Sequence, residues 1–395
     1  MRYLIGIDIG TSATKTVLFD ERCQAVTSSS QEYPLYQPQN GWAEQDPIDW
    51  YHAVEKTICD VVQESGVNPQ DIKGIGLSGQ MHGLVMLDED NAVIRPSIIW
   101  CDQRTGKECE EITERVGRKR LIEITANPAL TGFTASKILW VRNHEAENYR
   151  RCRHILLPKD YIRFRLTGEA FAEVTDYSGT SLMNLADATF DAEVLRDFAV
   201  ADMAGKLPPL RLCTDICGAV MPEVAALTGL KAGTPVAGGM FDIDACAVAM
   251  DVTDEKNLCV IAGTWGINEY ISRQPVLNKT IKMNSLFCLP GYFLIEESSP
   301  TSASNNDWFA DLFLDSEKQQ ARERGIGIHA VAEEMAASVG FDEQSILFLP
   351  FLYGSNDNPQ AKACFIGLES RHTRAQIIRA VLEGIVFSHR VHVER

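Results

Sequence analysis

The sequence predicts an α/β protein with two domains, and three observations support this prediction. The chain has 395 residues, which exceeds the roughly 250–300 residues at which a single hydrophobic core usually stops growing. Hydrophobic residues make up 45% and charged residues 23% of the chain, as is typical of a folded globular protein. Short β-branched segments alternate with helical segments along the chain, and this alternation is the pattern of an α/β fold.

The first hundred residues predict a β-hairpin, further strands and one long helix. A tight turn at residues 10–12 separates two β-rich runs. Trp50, Val54 and Ile58 recur at helical spacing and therefore predict an amphipathic helix. The predicted strands are residues 3–9, 14–19, 25–27, 72–77, 84–87 and 92–94, and the predicted helix is residues 47–64.

The rest of the chain continues the alternation and closes on a helix. Thr373 and Gln376 have the spacing of a capping box ahead of an apolar stripe, which predicts a helix running towards residue 395. The other predicted helices are residues 105–116, 135–148 and 160–166, and the predicted strands are residues 234–238, 258–262, 269–271, 293–295 and 346–349.

Charge, cysteine usage and hydropathy exclude several classes of protein. A net charge of −17 argues against nucleic acid or an anionic membrane as the main partner, because phosphate backbones are bound by basic patches. The eleven cysteines are scattered and form no C-x-x-C motif, which favours reduced thiols in a cytoplasmic protein. Asp8 interrupts any N-terminal signal sequence, and no window approaches the roughly 20 apolar residues of a membrane helix. We therefore expect a soluble, intracellular protein.

The pattern Asp8-x-Gly10-Thr11-Ser12-x-x-Lys15 predicts a phosphate-binding hairpin. A carboxylate at the end of a buried strand can hold Mg²⁺, and the glycine lets backbone amides approach phosphate oxygens. An ordinary hairpin with exposed charges explains these residues equally well. The loop is not a Walker A motif or a dinucleotide-binding motif, and Gln80 replaces the last glycine of a nucleophile elbow in residues 76–80.

A second strand that leads into Gly-Thr occurs in the other half of the chain. Residues 7–12 and residues 260–266 share this arrangement. Two such turns, each opening one half, indicate a duplicated fold with a ligand bound between the halves.

Two longer motifs resemble signatures of the FGGY family of carbohydrate kinases. Residues 132–144 fit the first signature, and residues 363–383 fit the second. The resemblance implies two ribonuclease-H-like domains of the actin/hexokinase type around a cleft, with ATP and Mg²⁺ as cofactors. It implies an N-terminal domain over residues 1–245, with the sugar site and first phosphate loop, and a nucleotide-side domain over residues 246–395.

Within the family, the chain resembles kinases that act on ketopentoses. Residues 41–47, 79–83 and 157–161 are similar to xylulose kinases, as is Trp100-x-Asp102-x-Arg104. The stretches that resemble L-xylulose kinases are residues 238–242, 262–265, 298–302 and 348–356. The two halves thus leave open which enantiomer is bound.

The family resemblance also implies roles for individual residues. Asp242 is implied as the base that takes the proton of the sugar hydroxyl, with Asp244 as a rival because both lie on one face of an extended segment. Ile243 stands where the family usually has Asn, which implies altered sugar contacts. The implied sugar contacts are Gln80, Met81, His82, Trp100 and Asp102. The implied phosphate contacts are Gly10, Thr11, Ser12, Lys15, Gly263, Thr264 and Gly266, with Asp8 on the metal.

The second domain is expected to be incomplete. The glycine-rich adenosine loop of the family is not found after residue 354, so weak ATP binding and poor stability are expected. One alternative is a sugar-binding remnant that does not turn over, and another is an actin-like ATPase without a sugar substrate, which the two signatures disfavour. Family members are often dimers, so a homodimer is possible.

Overall fold

The computed structural model describes residues 1–263, 265–277, 283–340, 345–355, 358 and 360–394, and it divides into two compact units. The first unit comprises Met1–Thr253, Ile271–Leu277 and Met283–Leu294, while the second includes Asp254–Tyr270 and the residues from Ile295 onwards. The predicted division between residues 245 and 246 stays a prediction. The units themselves are discontinuous in sequence, because the chain returns to the first unit after Tyr270.

The first unit is an α/β unit with a mixed central sheet. Its strands up to residue 253 are β1 (Tyr3–Ile9), β2 (Ala13–Asp20), β3 (Ala25–Glu32), β4 (Glu44–Gln45), β5 (Ile72–Gly79), β6 (Val85–Leu87), β7 (Ser97–Ile98), β8 (His154–Leu156), β9 (Ala172–Glu173), β10 (Met183–Asn184), β11 (Thr189–Phe190), β12 (Leu210–Arg211), β13 (Ile216–Ala219), β14 (Pro235–Ala237) and β15 (Met240–Phe241). Its helices are α1 (Pro47–Ser65), α2 (Gly106–Val116), α3 (Arg118–Thr125), α4 (Thr134–His144), α5 (Ala146–Arg151), α6 (Pro158–Thr167), α7 (Val174–Ser178), α8 (Ala192–Asp197), α9 (Pro222–Thr228) and α10 (Asp242–Ala249).

The central sheet places β5 beside β1, and this arrangement organises the unit. The strand order is β13-β14-β5-β1-β2-β3, and β15 also pairs with β5. Strands β1, β14 and β15 all run parallel to β5, whereas β1 and β2 form the predicted antiparallel hairpin. Helix α1 buries Trp50, Val54 and Ile58 in the core with the apolar residues of the sheet. The hairpin and this helix are therefore confirmed.

Two local predictions in the first unit were wrong. Residues 92–94 form no strand, since Val93 makes only an isolated bridge to Leu87. The Asp88 carboxylate accepts the amide of Ala92 at 2.9 Å and keeps this segment in a turn. The predicted helix over residues 135–148 is two helices, because Glu145 leaves the helical conformation with φ −130° and ψ 56°.

The second unit also contains both strands and helices. The chain beyond residue 253 forms β16 (Cys259–Ala262), β17 (Gly266–Ser272), β18 (Met283–Leu286), β19 (Phe293–Ser299), β20 (Leu347–Leu349), β21 (Cys364–Ile366), α11 (Ala303–Phe313), α12 (Asp315–Arg324), α13 (Ile328–Ala337) and α14 (Arg374–Val393). Of these elements, β18 lies in the first unit. Strands β16 and β17 are an antiparallel hairpin. The capping box of Thr373 and Gln376 at the start of α14 is confirmed. None of the helices in the described ranges is long and apolar enough to cross a membrane.

Candidate functional site

Three neighbouring strand ends of the first unit bring two carboxylates to one edge of the central sheet. Asp8 on β1 pairs with Ser78 on β5, and Met240 on β15 pairs with the same Ser78 from the other side. Asp242 follows β15 directly. Because neighbouring strands lie about 4.8 Å apart, the backbones of β1 and β15 are separated by about 10 Å.

The carbonyl oxygens of the β1–β2 turn accept hydrogen bonds from other parts of the protein. Gln45 Nε2 donates to the Thr11 carbonyl at 2.6 Å. The Gly10 carbonyl accepts from the Tyr33 hydroxyl and from Gln80 Nε2, and the Ser12 carbonyl accepts from the Tyr33 amide. Carbonyl oxygens repel phosphate, so their engagement suits a turn that presents amides and hydroxyls to an anion.

Asp8 lies at the base of this turn and fits the role of a magnesium ligand. The Asp8 side chain is exposed, but desolvation by the surrounding atoms raises its pKa, while a hydrogen bond with Ser78 and the charge of Lys15 act to lower it. Lys15 is directly opposite Asp8 in the β1–β2 register. Among the described residues, no cluster of three or more His, Cys, Asp or Glu side chains is arranged to hold a metal ion. Mg²⁺ in nucleotide sites does not require such a cluster, since one or two carboxylates, water and phosphate oxygens usually complete its shell.

His82 provides an unpartnered polar side chain close to the end of β5. His82 is 3% exposed, and neither of its ring nitrogens has a hydrogen-bond partner within the described part of the chain. Burial is the main cause that lowers the pKa of His82 well below its ordinary value, and the charge of Lys137 adds to it. A neutral imidazole offers one donor and one acceptor. His82 is therefore equipped to bind a hydroxyl group, and the half-buried Met81 precedes it.

The backbone of His82 is held in an unusual conformation by two side chains from α4. Its φ of 61° lies in the left-handed region, which non-glycine residues adopt uncommonly. The His82 carbonyl accepts from Thr134 Oγ1 at 3.1 Å and from Lys137 Nζ at 2.8 Å. The ring packs edge-on against Phe133, with ring centroids 4.9 Å apart.

Gln80 links this segment to the phosphate turn. Its Nε2 donates to Gln45 Oε1 at 2.9 Å as well as to the Gly10 carbonyl. Its Oε1 is buried and has no partner in the part of the chain that the structure describes. Gln80 is therefore positioned by the turn and retains one acceptor.

Trp100 contacts the phosphate turn, whereas Asp102 is bonded to Arg104 and Ala43. Trp100 Nε1 donates to Thr11 Oγ1 at 2.9 Å, which ties the indole to the phosphate turn. Asp102 is fully buried. Its carboxylate accepts from Arg104 Nη2 at 2.7 Å and from the Ala43 amide at 2.6 Å.

The structure separates Asp242 from Asp244. Both lie in the first turn of α10, so their side chains diverge instead of sharing the face of an extended segment. Asp244 is fully buried and accepts the Cys288 amide at 2.8 Å. Asp242 is half-buried. A base must reach its substrate, so this difference in exposure supports Asp242.

The two glycines before Asp242 allow close packing of the turn. A Cβ on Gly239 would lie 2.4 Å from the Leu77 carbonyl oxygen, and its φ of 77° is left-handed. A Cβ on Gly238 would lie equally close, 2.4 Å, to the Leu212 carbonyl oxygen. Side chains at these positions would displace the turn from β5.

The glycines of the second Gly-Thr motif lie at the facing ends of β16 and β17, where Gly263 follows β16 and Gly266 begins β17. The Gly263 carbonyl accepts the Ala303 amide at 2.9 Å. A Cβ on Gly266 would lie 2.7 Å from His389 Cε1, and His389 Nε2 is 3.1 Å from Ser302 Oγ. Thr264, which was predicted to contact phosphate, lies outside the described residues.

A set of buried charged residues next to the predicted site received no role from the sequence. Lys137 lies within the first signature, and Lys159 and Asp160 lie within the segment similar to xylulose kinases. For the others, on α6 and around α7, the sequence offers only a charge among apolar residues. The missed residues are Lys137, Lys159, Asp160, Arg163, Glu173 and Asp176.

Comparison with known families matches both halves of the chain. The model for the N-terminal domain of the FGGY family of carbohydrate kinases matches residues 3–249, and the model for the C-terminal domain matches residues 258–395.

Individual proteins with related sequences and folds extend this comparison. The chain is 34% identical over 400 residues to a probable L-xylulose kinase of Pasteurella multocida, covering 100% of this chain and 80% of the relative. It is 35% identical over 396 residues to the xylulose kinase of Bacillus subtilis, with coverage of 98% and 76%. The crystal structure of xylulose kinase from Rhodospirillum rubrum superimposes with a TM-score of 0.89 and 29% identity, covering 100% of this chain and 78% of that one.

Proposed function

The chain belongs to the FGGY family of carbohydrate kinases, and we propose that it phosphorylates a ketopentose of the xylulose type with ATP. The observation that carries the proposal is the placement of Asp8 and Asp242 on either side of β5. The similarity to proteins named xylulose kinase and probable L-xylulose kinase supports this substrate class.

Asp242 is the proposed general base. Its half-buried carboxylate at the start of α10 accepts the proton of the attacking hydroxyl while that oxygen forms its bond to the γ-phosphorus of ATP. The bond from this phosphorus to ADP breaks in the same step, and ADP leaves. Phosphoryl transfer depends mainly on positioning and electrostatics, so the held turn before Asp242 is as important as the carboxylate. Asp8 would hold Mg²⁺, which supplies positive charge to the phosphate oxygens.

The sugar is proposed to bind close to the end of β5. His82 has a ring donor and a ring acceptor without partners in the described ranges, and Gln80 has one free acceptor. Met81 supplies an adjacent apolar surface, and the Trp100 indole supplies a flat one beside Thr11. Asp102 stays a predicted sugar contact, and its bonds to Arg104 and Ala43 give it a positioning role as well.

The phosphates are proposed to bind the Gly-Thr turn of the first unit. There Thr11 and Ser12 supply amides and hydroxyls, Gly10 lets the turn approach the phosphates closely, and Lys15 supplies charge. In the second unit, Gly263, Thr264 and Gly266 stay predicted phosphate contacts. A homodimer and a cytoplasmic location remain predictions, and light scattering of the purified chain tests the first.

A coupled ADP-release assay tests the proposed function. The purified chain is given D-xylulose, L-xylulose, L-ribulose or glycerol at saturating Mg·ATP. We expect turnover with a xylulose, and we expect Asp242→Asn to lower kcat by roughly 10²–10⁴-fold, the usual contribution of a general base.

Asp244→Asn is the matched control, because its amide oxygen can still accept the Cys288 amide. It should leave most of the activity intact. ATP hydrolysis that no sugar changes, or full activity of Asp242→Asn, would overturn the proposal.

A further inference from the structure

Five charged side chains form a buried ionic network in the first unit. Lys159 Nζ lies 3.0 Å from Asp160 Oδ1, 3.3 Å from Glu173 Oε2 and 3.2 Å from Asp176 Oδ2. Arg163 Nη1 lies 2.6 Å from the same Asp160 oxygen. All five side chains are 0% exposed. None of them was assigned a role in the proposed reaction.

One arm of this network holds the turn that leads to Asp242. Arg163 Nη1 donates to the Gly238 carbonyl at 2.6 Å, and Arg163 Nη2 donates to the Phe171 carbonyl. The planar guanidinium thereby connects α6, the segment before β9 and the Gly-Gly turn. A lysine cannot reproduce this fork, because its ammonium group is a single compact centre on a flexible stem.

A second arm reaches the other end of the same turn. Glu173 Oε2 accepts the Thr175 hydroxyl at 2.7 Å, and Thr175 Oγ1 in turn accepts the Phe241 amide at 3.5 Å. Gly238 and Phe241 are thus both linked to the network. Phe241 is the residue immediately before Asp242.

The charges in this network are costly to bury. It contains two cations and three carboxyl groups, and desolvation often cancels the attraction within a buried ion pair. An apolar cluster of similar volume would stabilise the fold at least as well. The network is better explained by the main-chain groups that it holds than by any gain in stability.

We propose that this network, through Arg163 and Thr175, positions the Gly238–Phe241 turn and so aims the Asp242 carboxylate at the sugar hydroxyl. The inference rests on the proposed function, in which Asp242 is the base. Arg163 and Thr175 act through another residue, so they should affect turnover more than binding of either substrate.

Arg163→Lys is the first test, with Arg165→Lys as the matched control on the same helix. Arg165 donates to the Tyr161 hydroxyl and stacks on Tyr51, with no role in the turn. We expect Arg163→Lys to lower kcat by roughly 10–100-fold, the usual effect of a misplacement near 1 Å. The KM values for sugar and ATP should stay within about threefold, and Arg165→Lys should behave as wild type.

Thr175→Val and Thr175→Ser form a second, independent pair. Valine removes the hydroxyl that joins Glu173 to the Phe241 amide, and serine restores it. We expect reduced kcat in Thr175→Val and recovery in Thr175→Ser. If Arg163→Lys does not fold, the two Thr175 variants test the positioning role without it. Wild-type kcat in Thr175→Val overturns the inference.

A double-mutant cycle separates positioning from a general structural effect. Arg163→Lys should add little further loss when it is combined with Asp242→Asn, whereas an additive loss overturns the inference. If Asp242→Asn alone retains full turnover, the proposed function fails. If Asp242→Asn is inactive but Arg163→Lys has normal kcat, only the positioning role fails.

Discussion

Gly179→Ala should disable the His82 side chain without disturbing the backbone. Gly179 ends α7 with φ −82° and ψ −2°, a conformation that alanine adopts freely. A Cβ at this position would lie only 2.6 Å from His82 Cε1. Carbon atoms prefer separations of about 3.5–4.0 Å, so the imidazole must move by about 1 Å.

This displacement has a calculable kinetic consequence if His82 binds the sugar. A 1 Å misplacement of a positioning group can cost up to about 10²-fold in rate. We therefore expect kcat/KM for the sugar to fall by roughly 10–100-fold. The KM for ATP should change little, because the three atoms nearest to a Cβ on Gly179 belong to His82 and Met283 and none belongs to the β1–β2 turn. Steady-state ADP release, with each substrate varied in turn, measures both quantities.

Two further variants make the test decisive. Gly106→Ala is the control, since a Cβ there meets nothing within 4 Å. In a His82→Ala background, the ring that Gly179→Ala displaces is absent, so the second substitution should add almost nothing. Wild-type kcat/KM in a folded Gly179→Ala protein would refute the role of His82.

Three other predictions concern the buried charges and the Gly-Gly turn. Lys137→Met removes the donor to the His82 and Gly132 carbonyls, so kcat/KM for the sugar should fall about 10-fold or more. Lys107→Met, at an exposed position, is the control. An equal loss of kcat/KM in Lys107→Met would contradict the prediction. Burial raises the pKa of Asp176 to about 7 from 3.8, so the folded state retains a proton that the unfolded chain releases, and stability should fall as pH rises from about 4 to about 7. Asp176→Asn cannot titrate, so urea unfolding at pH 5 and pH 8 should show a smaller difference for it than for wild type, and equal differences would refute the shift. Gly239→Ala places a Cβ 2.4 Å from the Leu77 carbonyl oxygen at a left-handed φ, so the unfolding free energy should fall by about 2–4 kcal/mol. Gly205→Ala is the control, with an expected loss below about 0.5 kcal/mol, because a Cβ there meets nothing within 4 Å. An equally small loss in Gly239→Ala would show that the turn can shift to accommodate the methyl group.

The sequence predicted best where a local pattern is enough to determine structure. The hairpin of β1 and β2, helix α1 and the capping box of α14 all follow from side-chain periodicity and turn chemistry within a few residues. The two failures have different causes. Residues 92–94 stay in a turn through a local bond from the Ala92 amide to the Asp88 carboxylate, whereas the helix break has a nonlocal cause. Glu145 breaks the predicted helix where its carboxylate lies 2.9 Å from Arg95 Nε, and no pattern near residue 145 announces that ion pair.

The candidate site likewise combines features that a local pattern predicts with features that depend on distant residues. The hairpin turn could be predicted because its residues are contiguous, from Asp8 to Lys15, and its phosphate role stays a prediction. The family resemblance favoured Asp242, but spacing alone could not separate it from Asp244. Their difference in exposure depends on α10 beginning at Asp242 and on Cys288, which is distant in sequence. The isolation of the His82 ring nitrogens likewise depends on burial by residues far along the chain.

The buried cations have a common function that neither composition nor periodicity could reveal. Lys137 donates to the carbonyls of His82 and Gly132, and Arg163 donates to the carbonyls of Gly238 and Phe171. Two of these acceptors, His82 and Gly238, lie just beyond strands of the central sheet, where regular pairing no longer fixes the backbone. A charged donor forms stronger hydrogen bonds than a neutral one, and burial protects these bonds from competition by water. Such donors can hold an irregular backbone as firmly as a strand would, which explains why the first unit buries positive charge close to its two most important predicted side chains.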